Sequence, residues 1–223
     1  MLKRIVLLIA PLIVMTHAHH VSQGAAADKQ PTANNPWISL FDGQSLGDWK
    51  PNENPQSWSV KDGYLIANGP RSHLFYMGPE NDFKNFHFRA EIKTEPNSNS
   101  GIYFHTQWQD QGWPAHGYES QVNVSHADPV KSGSLYNTVK LSKEDIEKAG
   151  LKNNTWWTQE IIVRGKRVIV KLNGHTVIDY TEPADKEGPV KLSHGTFALQ
   201  AHDPGSTVYY RKLEVRRLPD DAK

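Results

Sequence analysis

An all-β fold is what this sequence predicts: two antiparallel sheets packed as a jelly-roll sandwich, with one short helix in a loop. Three observations carry that expectation. More than ten short runs with period-two alternation of apolar and polar residues fill roughly 180 residues after position 36. Asp-Gly and Asn-Gly pairs, strong hairpin signals, stand between several of those runs. A single stretch carries the end signals of a helix. Many short strands joined by turns build sandwiches, and no second domain boundary or internal repeat follows residue 36.

Taken in order, Trp37 to Phe41 reads as a strand ending at Asp42-Gly43, and Trp58-Ser59-Val60 turns through Asp62-Gly63 into Tyr64-Leu65-Ile66. Phe86 to Thr94 alternates Phe86, Phe88, Ala90 and Ile92 against His87, Arg89, Glu91 and Lys93. Asn99 to Asn123 reads as two strands joined by a loop rich in aromatics, Gly and Pro. Ser142 followed by Asp145 has the form of a capping box, with Ile146 and Ala149 apolar and Gly150 able to end the helix. Trp157 to Arg164, Arg167 to Leu172 and His175 to Tyr180 form a meander through the Asn173-Gly174 turn. Thr196 to His202 and Thr207 to Val215 complete the strands.

At the N-terminus, Lys3 and Arg4 precede an apolar run from Ile5 to Met15, and Thr16-His17-Ala18 supplies small residues of the kind a signal peptidase cuts. Residues 1 to about 18 therefore read as a secretory signal, with a second possible cut near Ala25-Ala26-Ala27. Residues 19–36 read as a disordered leader before a domain spanning 37–218. The run is short for a bilayer span. With no cysteine there is neither a disulfide nor a lipid-bearing N-terminal Cys, so the expectation is a secreted or periplasmic protein with no membrane association after cleavage. Twenty-five basic and 24 acidic side chains leave a net charge of +1, which gives no bulk field to attract nucleic acid. Any partner must therefore be recognised locally, and a monomer or small homo-oligomer is expected.

The segments Leu40-Phe41-Asp42-Gly43, Asp62-Gly63-Tyr64-Leu65, Asn99-Ser100-Gly101-Ile102-Tyr103-Phe104, Gly117-Tyr118-Glu119-Ser120-Gln121-Val122, Ser132-Gly133-Ser134-Leu135-Tyr136, Asn154-Thr155-Trp156-Trp157 and Phe197-Ala198-Leu199-Gln200-Ala201-His202 follow one another in an order that resembles the 3-keto-disaccharide hydrolase domain family. That resemblance implies a concanavalin-A-like sandwich with carbohydrate on its concave sheet, and cleavage of glycosides whose sugar has been oxidised at C3. Two positions depart from the family pattern. His105 stands where many members carry Arg, and Asn123-Val124-Ser125-His126 replaces an acidic pair.

The residues themselves point to a polar face with chemistry. Alternation puts Tyr103, His105 and Gln107 on one side of their strand and Glu119, Gln121 and Asn123 on one side of the next. A solvated sheet face explains polar residues in general, but His, Tyr, Gln, Glu and Asn are the groups that hold a sugar or move a proton. A two-carboxylate glycosidase needs a pair of acids about 5 to 9.5 Å apart, and this face offers Glu119 alone, with Asp110, Asp128 and Asp203 in loops. A 3-keto sugar relaxes that demand, because the ketone acidifies the hydrogen at C2 and the C1 substituent then leaves by elimination, with water adding afterwards. His105 and His202 are the candidate bases, with Glu119 orienting or assisting. Gln121, Asn123 and Gln200 are candidates for binding hydroxyls, Trp108 and Trp113 for stacking on a sugar ring, and Tyr136 for donating a hydrogen bond. His126, in the turn before Asp128-Pro129, is a further candidate. His105, Glu119 and His202 would alternatively make a divalent metal site serving as Lewis acid, although no tight ligand spacing is present. A non-catalytic carbohydrate-binding module is the rival from another class, since the same face would hold a sugar without proton transfer.

Overall fold

The computed structural model describes residues 35–220. The expected signal peptide, and the leader up to residue 34, lie outside them. Thirteen strands, one α-helix and a single 3-10 turn (Pro55–Ser57) are described: β1 (Ile38–Ser39), β2 (Trp49–Pro51), β3 (Trp58–Lys61), β4 (Tyr64–Ala67), β5 (Ser72–Tyr76), β6 (Phe86–Thr94), β7 (Asn99–Thr106), β8 (Tyr118–Asn123), α1 (Lys143–Lys148), β9 (Trp157–Arg164), β10 (Arg167–Leu172), β11 (His175–Thr181), β12 (Thr196–Ala201) and β13 (Val208–Arg217). They form two antiparallel sheets. The larger runs β11-β10-β9-β6-β13-β4-β3, with β1 added to β13, and the smaller runs β2-β5-β12-β7-β8. This is a jelly-roll sandwich.

The turns do what their residues allow. Asp62 and Gly63 join β3 to β4, and Asn173 and Gly174 join β10 to β11. All four have positive φ (54°, 80°, 49° and 81°), the conformation a tight two-residue hairpin demands and Asn, Asp and Gly tolerate. At α1 the Ser142 hydroxyl accepts from the Asp145 amide, while the Asp145 carboxylate accepts from the Ser142 amide at 2.9 Å, the reciprocal capping box. Gly150 follows at φ 79° and closes the helix end.

Between the sheets lies an aromatic core. The Phe197 ring from the smaller sheet sits 4.8, 4.9 and 4.7 Å from Phe83, Phe86 and Phe88, and all four are buried. Truncating such a residue costs about 3–5 kcal/mol. Apolar residues at alternate positions of β6, β9 and β13 enter this core, so period two holds where one face meets water.

Strands β2 and β5 were not legible as strands. No alternation marks residues 71–73, yet Ser72 and His73 open β5, an interior strand of the smaller sheet in which every residue is buried. The reason is that β5 is covered on both faces. Leu74 enters the core, while His73 and Phe75 lie beneath Trp113 and Trp108. A strand covered twice loses its alternation.

Candidate functional site

The outer face of the smaller sheet is a grid fixed by register. Phe75, Ala198, Tyr103 and Glu119 form one row, because Phe75 pairs with Ala198, Ala198 with Tyr103 and Tyr103 with Glu119. His73 pairs with Gln200 and Gly101 with Gln121, and these four make the next row. Asn99 pairs with Asn123 in the row beyond. Over this floor opens a cleft of about 520 Å³ bordered by Asn99, Tyr103, Trp113, Glu119, Gln121, Asp128, Tyr136, Gln200 and His202, and also by Pro114, Gly117, Asn137, Thr138, Lys186 and Val190.

Both walls are tied down. The Trp113 loop is held by Gln109, whose amide nitrogen donates to the Trp113 carbonyl at 2.8 Å, and by the Gly112 amide, which donates to Glu53 Oε1 at 3.1 Å. Arg71, ion-paired with Glu53 at 2.9 Å, lies 5.5 Å from the Trp113 ring. On the other side the Tyr136 amide donates to the Glu119 carbonyl at 3.0 Å, which places the Tyr136 segment along the β8 edge.

Glu119 stands over a missing side chain. Its carboxyl lies across Gly101, where any Cβ would collide with Oε1. Gln200 Nε2 donates to Glu119 Oε1 at 3.1 Å and to the Tyr103 hydroxyl at 3.1 Å. Burial pushes the Glu119 carboxyl up to about 7. The hydrogen bonds from Tyr103 and Gln200 oppose that shift, and the Asp128 charge adds to it. Glu119 thus exchanges its proton near neutral pH.

The floor also presents unmet acceptors. Gln121 and Gln200 are almost wholly buried, and each has its side-chain nitrogen committed, Gln121 to Asn99 Oδ1 at 2.8 Å and Gln200 to Tyr103 and Glu119. The side-chain oxygens of both lack a hydrogen-bond partner. Buried acceptors that border a cleft call for donors from a ligand, and hydroxyl groups supply them.

Not every residue that alternation placed on this face is there. His105 is the correction with the largest consequence. Thr196 pairs with Thr106 and Phe197 with Phe104, so His105 is the extra residue of a β-bulge, with φ 56°. The bulge inverts the alternation, and the imidazole turns away from Glu119 to lie 5.5 Å from the core ring of Phe86. Its Nδ1 accepts from the Ser193 amide at 3.1 Å, so Nε2 carries the proton and donates to the Lys84 carbonyl at 2.9 Å. Burial holds it down to about 4, a neutral latch between segments. The same bulge carries Gln107 and Trp108 out of the cleft, into a shallow depression with Met77 and His194, where Trp108 packs on Phe75. Asn123 is occupied structurally: its amide nitrogen donates to the Asp128 and Val130 carbonyls at 3.0 and 2.9 Å, and its oxygen accepts from the His126 amide. The triad of His105, Glu119 and His202 is therefore not assembled, and among the described residues no other cluster of three or more His, Cys, Asp or Glu has metal-holding geometry.

Tyr103, Trp113, Glu119, Gln121, Tyr136, Gln200 and His202 do come together. Sequence reading missed Asn99, Asn137, Thr138, Lys186 and Val190 as cleft residues, and Asp128, read as a loop acid, borders the cleft as well. Asn99 carries a findable signal, since it lies two residues before Gly101 and four before Tyr103 on one strand face. Nothing local in the sequence marks Lys186 or Val190.

A jelly-roll sandwich with a polar cleft on one sheet is an architecture shared by carbohydrate-binding and carbohydrate-cleaving proteins. The chain belongs to the family described as the 3-keto-alpha-glucoside-1,2-lyase-like domain, which it matches over residues 36–216. It is 25% identical over 172 residues to a protein of Bacteroides thetaiotaomicron named 3-keto-disaccharide hydrolase, a match covering 65% of this chain and 58% of the relative's length. A protein of Parabacteroides distasonis assigned provisionally to the glycosyl hydrolases has the same fold at 22% identity, with a TM-score of 0.62 over 82% of this chain and all of the other. The carbohydrate-binding module CBM66 of Bacillus subtilis shares the sandwich at 14% identity and a TM-score of 0.52, covering 80% of this chain and 98% of the module.

Proposed function

We propose that this protein cleaves glycosides whose sugar carries a ketone at C3, in the cleft of the five-stranded sheet. The observation that carries the reading is the Glu119 carboxyl, which burial holds protonated up to about pH 7 beside two buried amide oxygens awaiting hydroxyl donors. The ketone acidifies C2–H. His202 takes that proton, the C1–O bond breaks as the C1=C2 bond forms, and Glu119 gives its proton to the departing oxygen. Addition of water across the double bond returns the 3-keto sugar and completes a net hydrolysis. Gln121 and Gln200 accept hydrogen bonds from sugar hydroxyls, and Trp113 offers its ring to the apolar face of a sugar. We propose export as well, on the basic and apolar pattern of residues 3–15.

Asp128 favours a second reading. It is the other carboxylate bordering the cleft, and a two-carboxylate glycosidase would pair it with Glu119. Its Oδ1, however, accepts from the Val130 amide at 2.8 Å, which commits it to shaping its own turn. A pure binding module would need the amide oxygens but not a carboxyl kept protonated. The test is substitution: Glu119→Gln and His202→Ala should each reduce turnover of a 3-keto-disaccharide by roughly 100-fold or more, whereas Asp128→Asn should leave most of it. Full activity in Glu119→Gln and His202→Ala sinks the proposal.

A further inference from the structure

Two imidazoles meet at the His202 edge of the cleft, with ring centroids 5.6 Å apart, and their hydrogen bonds set them in opposite tautomers. His126 Nδ1 faces two obligatory donors, the Asp128 amide at 3.1 Å and the Asn99 side-chain amide at 3.5 Å. Its proton is therefore on Nε2, and it has no lone pair left to act as a base. His202 is the reverse. Its Nδ1 stands 2.7 Å from Asp203 Oδ2, a carboxylate that only accepts, so Nδ1 carries the proton and Nε2 keeps its lone pair.

Asp203 is itself fixed. Its Oδ1 accepts from the Gly205 amide at 2.8 Å, and its Oδ2 also accepts from the Ser206 hydroxyl at 2.9 Å. Ser206 in turn accepts from the Asn99 amide at 2.9 Å, which ties this turn to β7 in the cleft floor. These bonds hold the Asp203 carboxyl below the usual carboxylate range despite its partial burial, so it is charged whenever His202 works. The Trp113 ring lies 5.5 Å from the His202 ring, tilted against it.

We propose that Asp203 is a positioning residue: by fixing the His202 tautomer it makes His202, and not His126, the proton acceptor of the cleft. The proposal deepens the proposed function and rests on it for its kinetic consequence, whereas the tautomer assignment stands by itself. His202 Nε2 receives the C2 proton while Asp203 keeps Nδ1–H oriented and faces the imidazolium that results.

The experiment has two arms. Ring 15N–1H correlation spectra of the full, 15N-labelled protein at pH 8 should show His202 protonated at Nδ1 and bare at Nε2, with His126 the opposite. In Asp203→Asn, whose amide keeps the size of the side chain, His202 should shift toward the Nε2–H form. Kinetically, Asp203→Asn should lower kcat on a 3-keto-disaccharide by roughly 100-fold with KM within about twofold. The same change in a His202→Ala background should cost nothing further, because a residue acting through His202 has nothing to act on once it is gone. A His202 carrying its proton on Nε2 in the unaltered protein overturns the proposal, as does an Asp203→Asn loss of the same size in both backgrounds. Absence of any turnover with the expected tautomers in place would count against the proposed reaction and leave the assignment intact.

Discussion

The carboxyl of Glu119 lies over Gly101, one strand away, in the space a side chain at 101 would fill. Gly101 is thus part of the site without contributing an atom to its chemistry. Its backbone has none of the positive φ values that require glycine, so Ala is admissible to the strand and intolerable only to Glu119. Gly101→Ala is expected to keep the fold by circular dichroism and to lower kcat by roughly 100-fold, because a displacement of about 1 Å is enough for that. Unchanged turnover would mean that the Glu119 position is not what matters.

The raised pKa of Glu119 predicts opposite trends in activity and stability. As an acid it is functional below about pH 7, so the rate should fall as pH rises through 7. In the unfolded chain the same carboxyl titrates near 4.5, so between 4.5 and 7 the native state binds more protons and stability declines as pH rises. The decline is at most roughly 3–4 kcal/mol at about 1.36 kcal/mol per pH unit. Glu119→Gln should therefore melt above the unaltered protein at pH 8 and alongside it at pH 4, as read by thermal denaturation at the two pH values.

His73 predicts the reverse on the acid side. It is buried, neither ring nitrogen has a hydrogen-bond partner, and burial pulls it down to about 3 from 6.5. Below pH 6.5 the unfolded chain binds a proton the native state refuses, so its stabilising effect is complete above 6.5 and is lost as pH falls toward 3. His73→Phe, which gives up no side-chain hydrogen bond and keeps an aromatic ring between Tyr103 and Trp113, should move the acid-unfolding midpoint to lower pH and change stability little at pH 8. An unmoved midpoint would show that His73 is not among the groups that drive acid unfolding.

Trp113 and Val190 are 45% and 41% exposed, two of the four large apolar side chains exposed among the described residues, and both border the cleft. An apolar border favours a sugar ring face or an apolar leaving group. Trp113→Ala should raise KM about tenfold for 3-keto substrates with a smaller effect on kcat. Val190→Asp should penalise an aryl leaving group more than a sugar, measured as the ratio of kcat/KM values for the two.

The fold was legible because period-two alternation and Asn-Gly or Asp-Gly turns are local signals, and β6, β9 and β10 kept them. Strand β5 was not, since cover on both faces erased its alternation. The site was half legible for a related reason. Glu119, Gln121 and Tyr103 follow from strand parity, but a single extra residue at His105 reversed that parity and carried His105, Gln107 and Trp108 away from the cleft. No sequence rule marks a bulge that uses His rather than Gly in the left-handed conformation. Asn123 was correctly placed on its strand, yet its amide was already committed to the 128–130 turn, which is a tertiary fact. Asp203 and the opposite tautomers of His126 and His202 required the fold to bring three segments together.

In the proposed reaction one carboxyl and one imidazole suffice, because the substrate's own ketone activates C2. The most direct measurement is incubation of the protein with a 3-keto-disaccharide and with its unoxidised parent, each in deuterated water, followed by mass spectrometry of the products. Cleavage of the keto form alone is expected, with deuterium incorporated at C2 of the released 3-keto sugar. Cleavage of the unoxidised parent at a comparable rate, or cleavage of the keto form without deuterium at C2, would contradict the proposed reaction.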